Sequence, residues 1–528
     1  MTLDEDVIVD TRDVQQLLLR ASRARCVKHV FVKFKCAASG REFMNALLHE
    51  VTWANDENEI PEYEIAVGIS FRGLQALNIL DGYQHIFRHL APAFSQGAAE
   101  RAAEFLGDVG ASAARYWDAV FAPDGVHAVI TVHSSPDSKT ETAWQDQTLV
   151  PSLKKVEELV TITRVYHGKH LEPPEKDENE QQSWHNPKDE TFYDPPKKPI
   201  PPVWLHFGYR DGLTRHQLRT NKKQGTARNI HQAGELLLGE PRNIGDNPWS
   251  LIDRSDRIRG FFRHSSFGAF RLIEQDEKGF RKFVQQSADK LMLKPEWGGL
   301  PELTTYIRAK LCGRWPNGQV VRPDDTPNEL PKRPIERNEF SYTQDDQTDD
   351  TSIIDTTNRE DDSLGRGCPF GSHIRRMNPR DVDGVQAHKR PLFRRGVPYG
   401  PWYKVNINED EPRGLLGLFF CSDLRNQFEH LLGEWADRKP LGITGDRQLK
   451  DPLIGSHGNS DSAFTLTRAL DQERGEEPDY HSAKLMNFRS FSRTRGTVYC
   501  FYPSRAALED LGKDEVWVKK TEEQWLAR

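Results

Sequence analysis

At 528 residues the chain exceeds the ~250–300 residues at which single hydrophobic cores stop growing, so two or more folded units are expected. Hydrophobic residues make up 36% and charged residues 29%, yet 26 Phe, 12 Trp and 13 Tyr can still build cores. Long polar insertions explain this balance better than global disorder. The formal net charge of -7 gives no footprint for nucleic acid or an anionic membrane surface.

Residues 26–34, CVKHVFVKF, alternate with period two and predict a first strand. In REFMNALLHEVTWA, Phe43, Leu47, Leu48 and Val51 fall at helical spacing. EIAVGISFRGLQALNIL reads as a strand followed by a helix opening near Gly73. VHAVITVH (126–133) reads as a strand, PSLKKVEELVTI (151–162) as an amphipathic helix, and ITRVYHGKHL as a strand. This order is that of a ferredoxin-like α+β unit. From 172 to 202 the chain turns proline-rich and charged, the composition of a linker. The boundary expected from it divides the chain into residues 1–202 and 203–528. Further on, FRHSSFGAFRLIEQ predicts a strand and KGFRKFVQQSADKL a helix. Residues 322–363 read as a long, mobile polar loop. LLGLFFCSD then predicts a strand, LRNQFEHLLGEWA a helix and TVYCFYPS (497–504) a late strand.

Six cysteines occur without a CxxC pair or a CxxCH, which excludes covalent c-type haem attachment and suits reduced, partly buried thiols. The N-terminus is acidic and lacks the basic-then-apolar pattern of a secretory signal, and no run approaches ~18 apolar residues. A soluble, cytoplasmic protein is expected, with no nucleic-acid or membrane partner.

Three segments place glycine or proline around a titratable or cationic residue, outside any amphipathic pattern. They are FGYRDGLTR with Asp211, GRGCPFGSHIRRMNPRD with His373, and LFRRGVPYG with Arg394 and Arg395. Such loops position a side chain rather than fill a core. Each alone has a bland reading. Asp-Gly is usually a turn, a lone histidine is more often structural than a ligand, and arginines beside a turn are usually solvated. Cys368 and His373 supply only two candidate zinc ligands. GRGCPFG lacks the GxGxxG spacing of a phosphate loop.

Taken together, the three segments resemble the dye-decolorising peroxidase family. Its GxxDG signature is matched by Gly208-Tyr209-Arg210-Asp211-Gly212. Its proximal-histidine segment is similar to Cys368-Pro369-Phe370-Gly371-Ser372-His373-Ile374-Arg375-Arg376-Met377-Asn378-Pro379-Arg380, and its distal-arginine segment to Arg394-Arg395-Gly396-Val397-Pro398-Tyr399-Gly400. SFRGLQAL, FSQGAAERAAEFLGDVG, RGLL and DPLIG also look familial, so the resemblance covers most of the chain outside the two inserts.

The resemblance implies an α+β fold of two ferredoxin-like units with antiparallel sheets, of the dimeric α+β barrel type. It also implies one haem b per chain, in the C-terminal unit. His373 would be the axial iron ligand, with Asp451 of DPLIG as the acid that raises its donor strength. Asp211 would take and return the peroxide proton, and Arg394 would stabilise the charge that develops as the O–O bond breaks. Arg394 is favoured over Arg395 because the family's arginine lies two residues before the glycine of this segment. Leu416 or Phe419 would line the pocket, although Gly417 stands where an aromatic is expected. A buried strand with a close backbone approach is an equal reading of that run. Tyr399, Trp402 and Tyr403 are candidates for an electron relay, against the commoner role of packing aromatics.

The implied activity is hydrogen peroxide reduction coupled, through a ferryl state, to oxidation of donors such as dyes and phenols. An aspartate base, with a reference pKa of ~3.9 against ~6.5 for histidine, predicts best turnover in acid. The alternative is a haem protein for transfer, sensing or iron release, which would keep His373 but need neither Asp211 nor Arg394. A haem-free interaction module would leave the joint occurrence of the three loops unexplained. Family analogy allows a homo-oligomer.

Overall fold

The computed structural model describes residues 9–54, 62–79, 81–135, 144, 151–171, 203–214, 216–220, 229–243, 245, 247–251, 256–331, 340, 342, 362–380, 390–438, 450–458, 463–469 and 480–513. The 172–202 linker and the boundary at 202 lie outside them.

Fifteen strands are described. In the first half they are β1 (Cys26–Phe34), β2 (Glu64–Ile69), β3 (Ala128–Ser134) and β4 (Val160–Lys169). Short strands follow as β5 (Val203–Trp204), β6 (Arg210–Asp211), β7 (Gln217–Arg219) and β8 (Ile230–Gln232). The remainder are β9 (Ser266–Gln275), β10 (Phe393–Arg394), β11 (Val397–Tyr399), β12 (Gly414–Cys421), β13 (Phe464–Ala469), β14 (Tyr480–Leu485) and β15 (Ser492–Tyr502).

One antiparallel sheet runs β10-β12-β9-β15-β2-β3-β1-β4, with β11 also on β12. Its halves, β4-β1-β3-β2 and β10-β12-β9-β15, repeat one pattern. The first strand of each half lies between the third and the last, as in a ferredoxin-like unit. They join where β15 meets β2, at Phe501 opposite Ile69. The right-handed twist of strands curls so long a sheet. Phe31 of β1 comes within 5.4 Å of Tyr166 on β4 and 5.0 Å of Phe270 on β9, between ring centres. At the open seam Gly168 of β4 has no room for a side chain, because a Cβ there would come within 3.0 Å of the Pro398 carbonyl. Among the described residues no ladder closes the seam. The fold is the expected α+β arrangement of antiparallel sheet and helices, without a closed barrel. One continuous core draws on both halves, from Val9 to Leu511. No helix among the described residues is long and apolar enough to cross a membrane.

Most predicted elements fall within a few residues of the observed ones, and two differ. The helix expected over 151–162 is a 3-10 helix that ends at Leu159, and β4 begins at Val160. Val160, Thr161 and Ile162 are β-branched and pair with Phe34, Lys33 and Val32 of β1, so the strand takes them. The 322–363 segment is not uniformly a polar loop. Phe340 and Tyr342 are buried with Val320 and Cys368 in a small core, and Asp362 is also buried.

The predicted helix LRNQFEHLLGEWA forms as two wide-turned, π-type segments, Leu424–Glu429 and Leu431–Ala436. It is pinned by buried Glu429, which accepts from Arg101 Nε and Nη2 at 2.6 Å and from the Tyr499 hydroxyl at 3.0 Å. This helix and the β9–β12 face of the sheet enclose the candidate site.

Candidate active site

His373 opens the short helix His373–Met377, and the loop before it is held by groups far away in sequence. Gly367 N and Cys368 N each donate to the Asp362 carboxylate at 2.7 Å. The Ser372 hydroxyl donates to the Lys310 carbonyl at 2.5 Å, and Lys310 Nζ to the Arg366 and Gly367 carbonyls at 2.7 and 2.6 Å. Arg376 ties the same helix to the end of the π-type helix through the Trp435 and Arg438 carbonyls.

The outcome is a fixed imidazole. His373 Nδ1 lies 2.9 Å from Asp451 Oδ2. Asp451 is fully buried, and its Oδ1 accepts from the Leu453 and Ile454 backbone N–H groups at 2.9 and 3.0 Å. Burial would raise the Asp451 pKa, but the facing His373 and nearby Arg376 outweigh it and hold the carboxyl below its usual value. An ionised Asp451 accepts a hydrogen bond from Nδ1–H, which leaves Nε2 as the lone-pair nitrogen.

His373 lines a cavity of about 910 Å³, within the range of about 300–1,000 Å³ usual for ligand pockets. Asp211 lines it too, at the end of a tight turn in which Gly208 and Gly212 adopt φ of 74° and 78°, open to glycine at little cost. Arg394 Nη2 lies 3.2 Å from Asp211 Oδ1. The Asp211 side chain is 30% exposed, and that surface faces the cavity rather than bulk water. Desolvation pushes its pKa up, but Arg394, the Gly212 N–H and His373 together bring it below the usual carboxylate value. Arg395 points elsewhere, donating to the carbonyls of Leu17 and Leu18 at 2.8 Å. Strand alternation separates the two arginines.

The same alternation corrects one expectation. Leu415, Gly417 and Phe419 of β12 line the cavity, whereas Leu416 is fully buried on the other face, beside Gly168. Leu416 is therefore a core residue and not a pocket residue. Phe419 lies where expected, opposite Arg394 across the ladder. Gly417 makes room for it, since a Cβ there would come within 2.5 Å of the Phe419 ring.

Tyr399, Trp402 and Tyr403 are not among the cavity-lining residues. The Tyr399 carbonyl is 2.7 Å from His206 Nε2, and the Trp402 ring stands edge-on to His206 with centres 5.9 Å apart. Tyr403 lies beneath Arg281 and Arg413.

Sequence reasoning missed several lining groups. Arg271 forms a buried two-pronged ion pair with Asp108 at 2.6 and 2.8 Å, to which the Thr494 hydroxyl also donates. The available signal was an arginine inside the otherwise apolar strand FGAFRLI. Phe428, Leu431 and Trp435 line the helix side of the cavity.

These residues fit a porphyrin. The chamber offers apolar surface from Leu415, Phe419, Phe428 and Leu431, a held imidazole carried by its helix side and a carboxylate–guanidinium pair carried by its sheet side. That combination suits the chemistry of a haem peroxidase. Comparison with known proteins agrees. The DyP dimeric alpha+beta barrel domain matches residues 41–165. The dye-decolorizing peroxidase msp1 of Mycetinis scorodonius is 24% identical over 473 residues, covering 85% of this chain and 76% of its own. The multifunctional dye peroxidase DyP2 of an Amycolatopsis strain is 30% identical over 259 residues, 47% of this chain and 48% of its own. The crystal structure of a fungal DyP-type peroxidase from Auricularia auricula-judae superposes with a TM-score of 0.69 at 20% identity, covering 96% of this chain and 99% of that one. The chain is thus similar to dye-decolorising peroxidases over most of its length, and its residues 41–165 match their domain.

Proposed function

We propose that the protein reduces hydrogen peroxide and uses the oxidising equivalents on organic donors such as dyes and phenols. The observation that carries this reading is the Asp211–Arg394 pair at 3.2 Å in one cavity with His373, itself held by Asp451. Haem b, one per chain, would be held through its iron by His373 Nε2 and would supply the two-electron chemistry with peroxide.

The side chains do the rest. Asp211, ionised because Arg394 faces it, takes the proton from one peroxide oxygen and delivers it to the other, which departs as water. The Arg394 guanidinium stabilises the negative charge that grows on the departing oxygen. Phe419 excludes water from that face, and Asp451 keeps the imidazole oriented. A related dye-decolorizing peroxidase has been crystallised with 2,6-dimethoxyphenol, which makes that phenol the natural test donor. Peroxide-dependent oxidation of 2,6-dimethoxyphenol is expected, with a Soret band that disappears in His373→Ala. A haem-loaded protein that leaves peroxide unconsumed would favour the transfer or sensing reading instead.

Tyr399, Trp402 and Tyr403 stay in the proposal as a relay outside the cavity. Their separate replacement by Phe should lower turnover of bulky dyes while sparing small phenols, and equal loss for both would reject the relay. A cytoplasmic location is also proposed, supported by six cysteines that form no disulfide, five of them buried. Recovery from a secreted fraction with bridged thiols would reject it. A homo-oligomer, the last part of the proposal, is tested by light scattering.

A further inference from the structure

The cavity does not stop at Arg394. Because consecutive strand residues face opposite ways, Arg395 emerges on the other side of the sheet edge, and it and Gly396 also line the cavity. The lining also includes Arg20, Ser22 and Arg23 of the segment that enters β1, with Glu64, His133 and His170; Glu64 and His133 are opposite each other on β2 and β3.

Three features set this region apart. First, two of its arginines carry no ion pair: among the described residues neither Arg20 nor Arg23 forms one, and the Arg20 guanidinium donates to the Gln16 side chain. The Glu64 carboxylate is already engaged by Gln16 Nε2 at 3.1 Å. Second, Arg395 is locked in place by the Leu17, Leu18 and Arg394 carbonyls, so its charge is held at the site. Third, His133 is only 4% exposed, and its Nδ1 has no hydrogen-bond partner. A buried ring nitrogen left without a partner is costly unless a ligand completes it. Burial, with His170 and Arg395 close by, pushes the His133 pKa down to about 3.

We propose that this part of the cavity is an anion subsite, formed by Arg20, Arg23, Arg395 and His133, that holds the carboxylate of an anionic aromatic donor in the same cavity as Asp211. The proposal rests on the peroxidase reading and adds the charge class of its donor. An arginine presents a planar fork matched to a carboxylate, and clustered cations lining a cavity raise the local concentration of anions. The overall charge of -7 makes this local reversal of sign selective rather than general.

The test compares 4-hydroxybenzoate with phenol, which differ by the carboxylate, as ligands of the haem-loaded protein in calorimetry and then as donors. The unaltered protein should bind 4-hydroxybenzoate more tightly than phenol. Arg23→Ala should weaken 4-hydroxybenzoate about tenfold, and Arg23→Lys should recover part of that loss, while phenol shifts less than twofold. His133→Gln should change affinity for the acid alone. Equal affinity for the two ligands, or no change for the acid in both Arg23→Ala and Arg20→Ala, would overturn the proposal.

The same carboxylate chemistry could come from a porphyrin propionate. Haem and its dimethyl ester separate the two sources. A loss of haem affinity in Arg23→Ala that the diester does not share would assign the site to the cofactor and overturn the donor assignment. Because binding is measured at equilibrium, loss of the peroxidase reading would show as retained 4-hydroxybenzoate binding without turnover.

Discussion

The two sides of the cavity are built to different tolerances. On the helix side Asp451 is wholly buried and takes three hydrogen bonds, one from His373 and two from backbone N–H groups. On the sheet side Asp211 is 30% exposed and Arg394 is 48% exposed, and they meet at 3.2 Å. A group that must hold a metal gains from being fixed, because any second geometry weakens the bond. A group that must pass a proton needs reach and an accessible lone pair. Under the proposed function, the contrast assigns anchoring and proton handling to opposite sides of the cavity, with different freedom.

The sharpest way to break this comparison is to remove the anchor. His373→Ala should abolish the Soret band and nearly all peroxide consumption, with the fold retained by circular dichroism. Retention of a full Soret band would place the ligand elsewhere. Removing the proton-handling side should instead leave haem bound. Asp211→Asn and Arg394→Leu are each expected to lower kcat/KM for peroxide by about 10²–10³-fold with an unchanged Soret intensity. If either variant lost haem along with activity, the division of labour would fail. The third effect is smaller. Asp451→Asn should keep the imidazole near its place but weaken it as a donor, which costs about 10–100-fold in haem affinity or activity.

The pH profile sharpens the sheet side. The Asp211 pKa is depressed below its usual value, so the reactive carboxylate is present above that lowered pKa and is lost as pH falls through it. Turnover should persist into acid below about pH 4 before it declines. Arg394→Leu removes the depression, so the acid limb of its residual activity should move to higher pH. A limb that does not move would show that another group sets the profile. The helix side obeys the same sign. The lowered Asp451 pKa contributes stability at pH values above its unfolded value of about 3.9, and that stability is lost as pH falls through the folded value.

How much of this was legible in the sequence depends on the range of each interaction. His373, Asp211 and Arg394 sit in short loops whose glycines and prolines mark them locally, and the structure brings all three to one cavity. Their support was much less visible. Asp362 falls in a stretch whose composition reads as a polar loop, yet it caps the Gly367 and Cys368 amides from inside the fold. The Arg271–Asp108 pair joins a strand to a distant turn, and nothing in either segment names the partner. In the strand Gly414–Cys421 nearly every residue is apolar, so hydrophobicity could not say which alternate set faces the cavity. That ambiguity placed Leu416 in the pocket, and the register with β9 and β10 places it in the core.

The smallest predicted effect tests that register directly. Leu416→Ala should destabilise the protein by about 2–5 kcal/mol, as for other buried leucines. It should leave KM for peroxide and the choice of donors unchanged, because the lost methyl groups face Gly168 and the interior of the curled sheet. Gly417→Ala should do the reverse. Its new methyl meets the Phe419 ring at 2.5 Å, so the ring must swing into the cavity. Stability should change little if the ring finds room, while the Soret maximum and KM for peroxide shift. If Leu416→Ala altered the spectrum and Gly417→Ala did not, β12 would be out of register by one residue. Every side chain on the sheet side of the cavity, Phe419 included, would then have to be reassigned.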